Sequence, residues 1–414
     1  MMTNRPFRPF DFDRDIKAVQ RIWIECGWIQ DEKDDREAVS VFFKTGEAEV
    51  ATIHDEVECA THWTPGTVRY QDETLKLGAV TAVTTSHIAR KLGFARELTA
   101  RSLALQKHAG MHVSALGIFD QGFYNQLGYG NGPYEPRVQF DPARLKVNAP
   151  FRPPQRLTQS HFKEIHHAMA NRKMYHGGVV LDSPENTKAE LIWTDKPFGL
   201  GYFDGPEGSL SHFIWGEMKD ESGPYRITMR AYRTNEQLME LLALIKSLGD
   251  QIDSFKMLEF GEFQLQDILD QPFRTERTTR GSEYHQHLSA FAYWQFRILD
   301  LENCLAKTHL NGPAMKFNLL LTDPLNDILA GESTWQGLTG NYVITLGEES
   351  SASQGTDKNL PSLNASINAF SRLWFGVRPA SNIAITDDLS GDPKLIAALD
   401  QILRLPKPHF GWDF

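Results

Sequence analysis

Two hydrophobic periods alternate along the first 140 residues and predict one α/β unit. Apolar residues recur at helical spacing in some segments and at every second position in others, which indicates amphipathic helices and half-buried strands. The predicted helices cover residues 13–28, 37–44 and 94–109, and the predicted strands cover residues 47–54, 57–63, 75–85 and 112–119. From Gly78 to Thr85, the strand at 75–85 consists of small and β-branched residues, which is typical of a buried central strand.

The rest of the chain predicts two further regions with both kinds of element. Residues 133–154 are rich in proline without a sustained period, which predicts a linker, and a polar, mobile loop is predicted at 348–358. Predicted helices cover residues 158–174, 235–248, 362–375 and 394–403, and predicted strands cover 199–203, 210–218, 225–232, 255–260, 317–321 and 342–346. The last six residues include three aromatic ones, so this end is predicted to be packed, since free tails are usually polar.

Residues 78–110 form the stretch with the clearest chemistry. A strand leads into a connector that contains Arg90, Lys91 and Gly93, and a helix follows. Backbone amides at a helix start are unpaired, and the helix dipole is positive there, so this turn suits a pyrophosphate. Gly93 allows the backbone to approach the ligand closely, and Ala95 leaves the first helical turn unobstructed.

Together with a second motif, this stretch resembles the GCN5-related N-acetyltransferase (GNAT) superfamily. The second motif is Phe123-Tyr124-Asn125-Gln126-Leu127-Gly128-Tyr129, about thirty residues after the turn. The run from Val80 to Thr84, followed by Arg90-Lys91-Leu92-Gly93, looks most like the Eis-type (enhanced intracellular survival) branch. The resemblance implies acetyl-CoA as the cofactor and transfer of its acetyl group to a primary amine, such as an aminoglycoside, a polyamine or a lysine side chain.

The resemblance also implies roles for individual residues. Cofactor binding is assigned to two positions of the central strand and to the turn: Val83, Thr85, Arg90, Lys91, Gly93 and Ala95. Tyr124 is the expected proton donor to the departing sulfur, because a phenol with a pKa near ~10 is protonated at neutral pH. The terminal carboxylate of Phe414 is the expected general base, with Asp413 as the alternative acceptor. His87 stands where the branch usually has proline, and Leu92 where a third basic residue is frequent.

The fold implied by the resemblance is α/β, with tandem GNAT-like domains and a sterol-carrier-protein-like third domain. The expected bounds are 1–140 for the cofactor domain, 150–289 for a GNAT-like domain without the cofactor motif, and 290–414 for the third domain. A homo-oligomer, such as a hexamer, is also implied. The alternative function is a lipid- or small-molecule-binding protein with a vestigial acetyltransferase domain.

Composition limits the other function classes. The chain has 414 residues, 41% hydrophobic and 23% charged, so it is long enough for two or three domains. A net charge of −10 disfavours nucleic-acid binding, and no apolar run approaches the ~18 residues of a membrane span. Three scattered cysteines and an N-terminus without an apolar signal core predict a cytoplasmic protein. The histidines at 161–176 form no i,i+4 pair, so no metal is expected.

Overall fold

The computed structural model describes residues 6–118, 120, 122–272 and 283–414. It is a mixed α/β fold, as predicted, with three sheets. The strands are β1 Phe7–Pro9, β2 Glu47–Ile53, β3 Glu56–Tyr70, β4 Glu73–Thr85, β5 Val113–Gly117, β6 Gly130–Asn131, β7 Glu135–Phe140, β8 Gln155–Arg156, β9 Val179–Leu181, β10 Pro197–Tyr202, β11 His212–Met218, β12 Tyr225–Ala231, β13 Phe255–Leu258, β14 His287–Phe291, β15 Trp294–Ile298, β16 Met315–Thr322, β17 Gly340–Leu346, β18 Ser351–Gln354, β19 Ser362–Ser366 and β20 Leu389–Gly391. The helices are α1 Phe12–Glu25, α2 Lys33–Phe42, α3 Phe94–His108, α4 Phe162–Ala170, α5 Pro184–Trp193, α6 Asn235–Ser247, α7 Leu301–Ala306, α8 Leu325–Ile328, α9 Ile367–Trp374, α10 Ala380–Thr386 and α11 Pro393–Ile402.

The first sheet has the order β1-β2-β3-β4-β5-β15-β6, and β9 also pairs with β3. Only β4 and β5 run parallel, because α3 connects them as a crossover helix. The helices α1 and α2 pack on one face through residues such as Trp23 and Phe42, and α3 packs on the other through residues such as Leu103. Strand β4 is therefore buried in the middle of a two-faced core.

The second sheet repeats this arrangement with the order β14-β7-β13-β12-β11-β10-β8. Strands β12 and β13 are its parallel pair, and α6 connects them. The two sheets exchange strands: β7, which directly follows the first region in the chain, pairs with β13, whereas β15, which follows the second region, pairs with β5. Each sheet is completed by a strand that comes from beyond the predicted domain boundary, and the three-domain division stays a prediction.

The third sheet has the order β18-β17-β16-β19-β20 and is tied to the first by a buried ion pair. Arg297 of β15 donates to Asp323 Oδ2 over 2.5 Å, and both side chains are fully buried. Asp323 also accepts from the backbone amides of Leu325 and Leu338. Such an ion pair needs these extra bonds because burying charge is costly. The third region is thus coupled directly to the first sheet.

Most predicted elements are confirmed, and three local predictions are wrong. Residues 133–154 are not a structureless linker, because β7 lies within them and has two strand partners. The loop predicted at 348–358 contains β18, an edge strand of the third sheet. The helix predicted at 362–375 begins as β19 and becomes helical only after Ser366, whose hydroxyl caps α9. Residue 119, the predicted end of β5, lies outside the described residues.

Among the helices of the described residues, none has both the length and the apolar character that a membrane crossing requires.

Candidate active site

The parallel strands β4 and β5 stop pairing partway along β4, and the unpaired edge of β4 beyond that point forms a candidate cleft. The two strands pair only from Leu77 to Val80 of β4, after which Thr81 forms a bulge against β3. Beyond the bulge, β4 continues beside β3, whereas β5 ends beside β15. Within the described residues, this edge of β4 has no strand partner, so its backbone groups are available to an extended ligand.

Val83 and Thr85, the predicted cofactor residues of the strand, both lie on this part of β4. Val83 is partly buried and packs in the cluster that contains Tyr124. The Thr85 hydroxyl lies 3.2 Å from Cys59 Sγ, and its carbonyl accepts from Cys26 Sγ over 3.4 Å. Since the side chain of Thr85 is directed at β3, its contribution to the cleft would come from its backbone.

The predicted phosphate turn lies between the end of β4 at Thr85 and the start of α3 at Phe94. Gly93 has φ +84° and is the residue before α3, and no side chain of the described part of the chain caps that helix. A Cβ added at Gly93 would meet no atom within 4 Å, so the approach to the first amides of α3 is open. Arg90 and Lys91 are exposed beside it, and Lys91 also has a left-handed φ of +63°. This is the geometry of an anion site at a helix start.

Ala95 anchors the first turn of α3. Its methyl group packs against the small cluster of Ala51, Cys59 and Leu98, and its carbonyl accepts from the Thr99 hydroxyl over 2.7 Å. The turn is therefore fixed to the sheet on its inner side and open on its outer side.

Tyr124 opens a short 3₁₀ helix, Tyr124–Leu127, just after β5. The side chain is buried, and burial raises the pKa of its hydroxyl to about 12, with smaller contributions from Asp120 and Tyr293. Within the described residues its hydroxyl has no hydrogen-bond partner. A protonated phenol without a partner can donate to a ligand atom that enters the cleft.

The turn that carries Tyr124 is held by side chains from later in the chain. Asn368 of α9 donates to the carbonyls of Asn125 and Tyr129, both over 2.8 Å. Arg297 donates to the Leu127 carbonyl. Gly128 has φ +84°, and a Cβ there would lie 2.5 Å from Arg297 Nη1, so a side chain would disturb this contact.

The C-terminal tail is packed, as predicted, and reaches the end of β5. Phe410 and Trp412 are buried, and the Phe410 ring stacks on Trp294 at 5.0 Å. The Phe414 ring lies 4.6 Å from the same Trp294. Trp294 is the register partner of Gly117, the last residue of β5. The tail therefore brings the terminal residue to the strand end that leads into the Tyr124 turn.

Tyr293 connects the tail to Tyr124. Its ring covers Gly117, where an added Cβ would lie 2.6 Å from Tyr293 Cζ. Burial, followed by Asp413 and Glu190, raises the pKa of Tyr293 to about 12, and Tyr293 in turn contributes to the raised pKa of Tyr124. Tyr293 was not predicted from the sequence as a site residue. The adjacent aromatic residues Tyr293 and Trp294 were the available signal.

Asp413 of the tail lies near two further carboxyl groups, those of Glu190 and Glu135. Burial raises the pKa of Asp413, and burial together with Asp413 raises the pKa of Glu190 to about 7 and that of Glu135 to about 8. Asp413 was considered from the sequence, but Glu190 and Glu135 were not, because helix α5 and strand β7 were not predicted. A carboxyl group that titrates near neutral pH suits proton transfer.

One cluster of the second region has the residue types of a metal site but the contacts of an ion-pair network. Asp204, His212 and Glu240 have ligand atoms within 4.8 Å of one another. Arg152 pairs with both Asp204 and Glu240, the latter at 2.7 Å, and His212 bonds to Glu240 at 2.9 Å. The guanidinium already supplies positive charge to these two carboxylates.

Comparison with known proteins agrees with this geometry. Residues 8–132 match the family model of an acetyltransferase (GNAT) domain. The enzyme class expected from the sequence, an N-acetyltransferase, is confirmed by that domain. No curated protein matches the chain by sequence.

Solved structures of several bacterial proteins share the whole fold. A probable N-acyltransferase from Enterococcus faecalis V583 has a TM-score of 0.80 at 18% identity, with 100% of both chains covered. A GCN5-related N-acetyltransferase from Kribbella flavida has a TM-score of 0.72 at 16% identity, and Eis1 from Mycobacterium abscessus has 0.74 at 14%. Both of these cover 99% of this chain and 100% of their own. At such identities the likeness is one of fold.

Proposed function

We propose that this chain is an Eis-type, acetyl-CoA-dependent N-acetyltransferase that acts on a primary amine. The observation that carries the proposal is the cleft beside β4, which leads into the glycine turn at the uncapped start of α3. A pyrophosphate at that turn would receive backbone amides and the helix dipole, with Arg90 and Lys91 nearby. An extended arm would then run along the free edge of β4.

Acetyl transfer sets the tasks of the remaining residues. The thioester supplies the acetyl group, so a nitrogen–carbon bond forms and a carbon–sulfur bond breaks. Tyr124 donates a proton to the leaving sulfur, which its raised pKa permits because the phenol stays protonated. The carboxylate of Phe414 accepts the proton of the attacking amine, directly or through water. Asp413 and Glu190 are the alternative acceptors.

A matched pair of variants tests the cofactor assignment. Gly93→Asp places a carboxylate where the pyrophosphate is expected, whereas Gly93→Asn has the same shape without the charge and tolerates a left-handed φ. Calorimetry with acetyl-CoA is expected to show no binding for the aspartate variant and weaker but measurable binding for the asparagine variant. Equal affinity in wild type and Gly93→Asp would overturn the assignment. Thiol release with a panel of amines then measures transfer itself.

We also propose that the protein is a homo-oligomer, with a hexamer as the expected form. The proposal rests on the family resemblance. Light scattering at micromolar concentration measures the mass directly. A species of 47.0 kDa, the mass of one chain, would contradict it.

A further inference from the structure

A cavity lies between the C-terminal tail and the second sheet, and its lining is strongly basic. Tail residues from His409 to Asp413 form one wall, and strands β7, β12 and β13 form the other. Six lysine or arginine residues line it, against two carboxyl groups, those of Glu135 and Asp413. In a chain with a net charge of −10, this local excess of positive charge calls for a ligand-based explanation.

Part of the positive charge is not used by the protein itself. Arg172 and Arg230 donate to backbone carbonyls and so have structural roles. Arg226 pairs with Glu217 at 3.1 Å. Within the described ranges, Arg137 and Lys256 form no ion pair. These two side chains, together with Arg226, whose pair with Glu217 is partly exposed to solvent and therefore weak, are the available cations of the cavity.

The three available cations lie on neighbouring strands. Arg226 of β12 is the register partner of Lys256 in β13, and Lys256 is the partner of Gln139 in β7. Arg137 is two residues from Gln139 and therefore on the same face of the sheet. The same three residues also line an adjoining groove, which contains acidic residues as well.

The carboxyl groups in the cavity do not balance these cations at neutral pH. Glu135 is 5% exposed, and its Oε1 atom has no hydrogen-bond partner among the residues that the structure describes. Burial raises its pKa to about 8, so it is largely protonated at pH ~7. Burial also raises the pKa of Asp413, although Arg137 and Arg226 oppose this shift. With Glu135 protonated, at most one carboxylate, that of Asp413, faces the cations, so the cavity favours an anion.

The cavity adjoins the proposed site of acetyl transfer. Asp413 lines it, and the next residue is Phe414, the proposed base. The guanidinium of Arg137 lies 4.6 Å from the ring centre of Phe291 and 6.0 Å from that of Tyr293. Tyr293 also influences Tyr124. A molecule in the cavity would thus reach from the basic strands toward the catalytic end of the tail.

We propose that the acceptor amine also carries an acidic group, a carboxylate or a phosphate, which Arg137, Arg226 and Lys256 bind. This inference rests on the proposed function and narrows its substrate class. The amino end of such a molecule lies toward the Phe414 carboxylate, and its acidic end lies on the second sheet. Aminoglycosides and polyamines have no acidic group, so they are expected to be poor acceptors, whereas a free amino acid such as lysine fits.

Matched acceptors test this directly. Lysine differs from cadaverine, and ornithine from putrescine, only by a carboxylate, and phosphoethanolamine differs from ethanolamine by a phosphate. Charge-assisted bonds contribute about 1.5–3 kcal/mol, so kcat/KM for the acidic member is expected to be ~10–100-fold higher. The carboxylate and phosphate pairs distinguish the two kinds of acidic group.

Variants locate the preference. Lys256→Gln, alone and combined with Arg137→Gln, is expected to reduce the lysine-to-cadaverine ratio ~10-fold or more, mainly through KM for lysine, and to leave the Kd of acetyl-CoA unchanged. Arg156→Gln is the control, because it removes the same charge from an exposed position on β8 of the same sheet. Thermal unfolding checks that each variant is folded, and the single Lys256 variant serves if the double one is not.

Three results would count against the inference, and they are distinguishable. Equal or better use of cadaverine by the wild type would refute an acidic acceptor but leave the acetyltransferase assignment intact. Absence of acetyl-CoA binding by the wild type would overturn the proposed function and this inference with it. An unchanged ratio in the folded Lys256 and Arg137 variants would refute the assigned residues.

Discussion

The chain contains two similar strand–helix–strand units, which differ in the side chains at the positions where the parallel strands separate. In the first unit, β4 and β5 are parallel and α3 joins them; in the second, β12 and β13 are parallel and α6 joins them. Both central strands bulge just past the end of the parallel pairing, at Thr81 in β4 and at Thr228 in β12. The scaffold for a cofactor cleft is therefore present twice.

The residue two positions after each bulge makes the first difference. In β4 this residue is Val83, and in β12 it is Arg230. Arg230 donates to the carbonyls of Leu258 and Glu259 over 2.6 and 3.0 Å, so its guanidinium bridges from β12 to the end of β13. Arg230 thus spans the point at which β12 and β13 separate, whereas the apolar side chain of Val83 cannot form such a bridge in the first unit.

The start of the connecting helix makes the second difference. The residue before α3 is Gly93, without a side chain to cap the helix. The residue before α6 is Thr234, whose hydroxyl accepts from the Gln237 amide over 3.3 Å. A capped helix start has fewer free amides for an anion. One scaffold thus accounts for both the proposed cofactor site and a structural sheet, depending on a few side chains.

The largest expected effect comes from making the first unit like the second. Val83→Arg would place a long charged side chain in the β4–β5 cleft, so acetyl-CoA affinity is expected to fall at least ~100-fold, because the site is filled rather than merely weakened. Val83→Ile is the control and should bind nearly normally. Calorimetry on both proteins, with circular dichroism to confirm folding, measures this. Normal affinity in a folded Val83→Arg protein would show that the cofactor does not use this cleft.

The next largest effect tests whether proton transfer depends on the tail and on Tyr124. Adding a few residues after Phe414 replaces its carboxylate with an amide, which cannot accept a proton. Loss of a general base typically costs ~10²–10⁴-fold in kcat. Tyr124→Phe should behave similarly, and both proteins should keep the wild-type Kd of acetyl-CoA. A near-normal kcat in the extended protein would move the search for the base to Asp413 or Glu190.

A smaller effect concerns stability and belongs to the second sheet. The pKa of Glu135 is raised from 4.5 to about 8, so between these values the folded state keeps a proton that the unfolded state has lost. The contribution of Glu135 to stability should therefore fall as pH rises from about 4.5 to about 8 and then level off. Glu135→Gln should remove about 1–3 kcal/mol of this decline. Urea unfolding of both proteins at pH ~5 and ~8 measures the change in the free energy of unfolding. An identical pH dependence in the two proteins would contradict the raised pKa of Glu135.

The smallest effect tests the dependence of the first unit on the third region. Asn368→Ala removes two hydrogen bonds to the Tyr124 turn, each contributing about 0.5–1.5 kcal/mol to its placement. We expect kcat to fall ~3–10-fold with unchanged acetyl-CoA affinity. Asn364→Ala, at an exposed position on nearby β19, is the control. An equal effect from both substitutions would indicate general destabilisation.

Local patterns predicted the first unit well because its signals are contiguous. The β-branched run before Gly93 and the helix after it lie within thirty residues, and both elements form as predicted. The exchanged strands were harder to predict. The start of a third domain was expected at 290, and that division stays a prediction. Strand β15, which follows residue 290, pairs with β5 of the first sheet. The two strands lie about 180 residues apart in the chain, so no local pattern connects them. Glu190 and Tyr293 become neighbours of the tail only through such distant pairing.

The stoichiometry of acetyl-CoA binding tests the difference between the two units most directly. Calorimetric titration of the wild type is expected to give one site per chain, and Val83→Arg should give none. Arg230→Val removes the bridge between β12 and β13 but leaves the capped start of α6, so it should still give one site per chain. Two sites per chain in the wild type, or one site retained in Val83→Arg but lost in Arg230→Val, would contradict the assignment of the cofactor to the first unit.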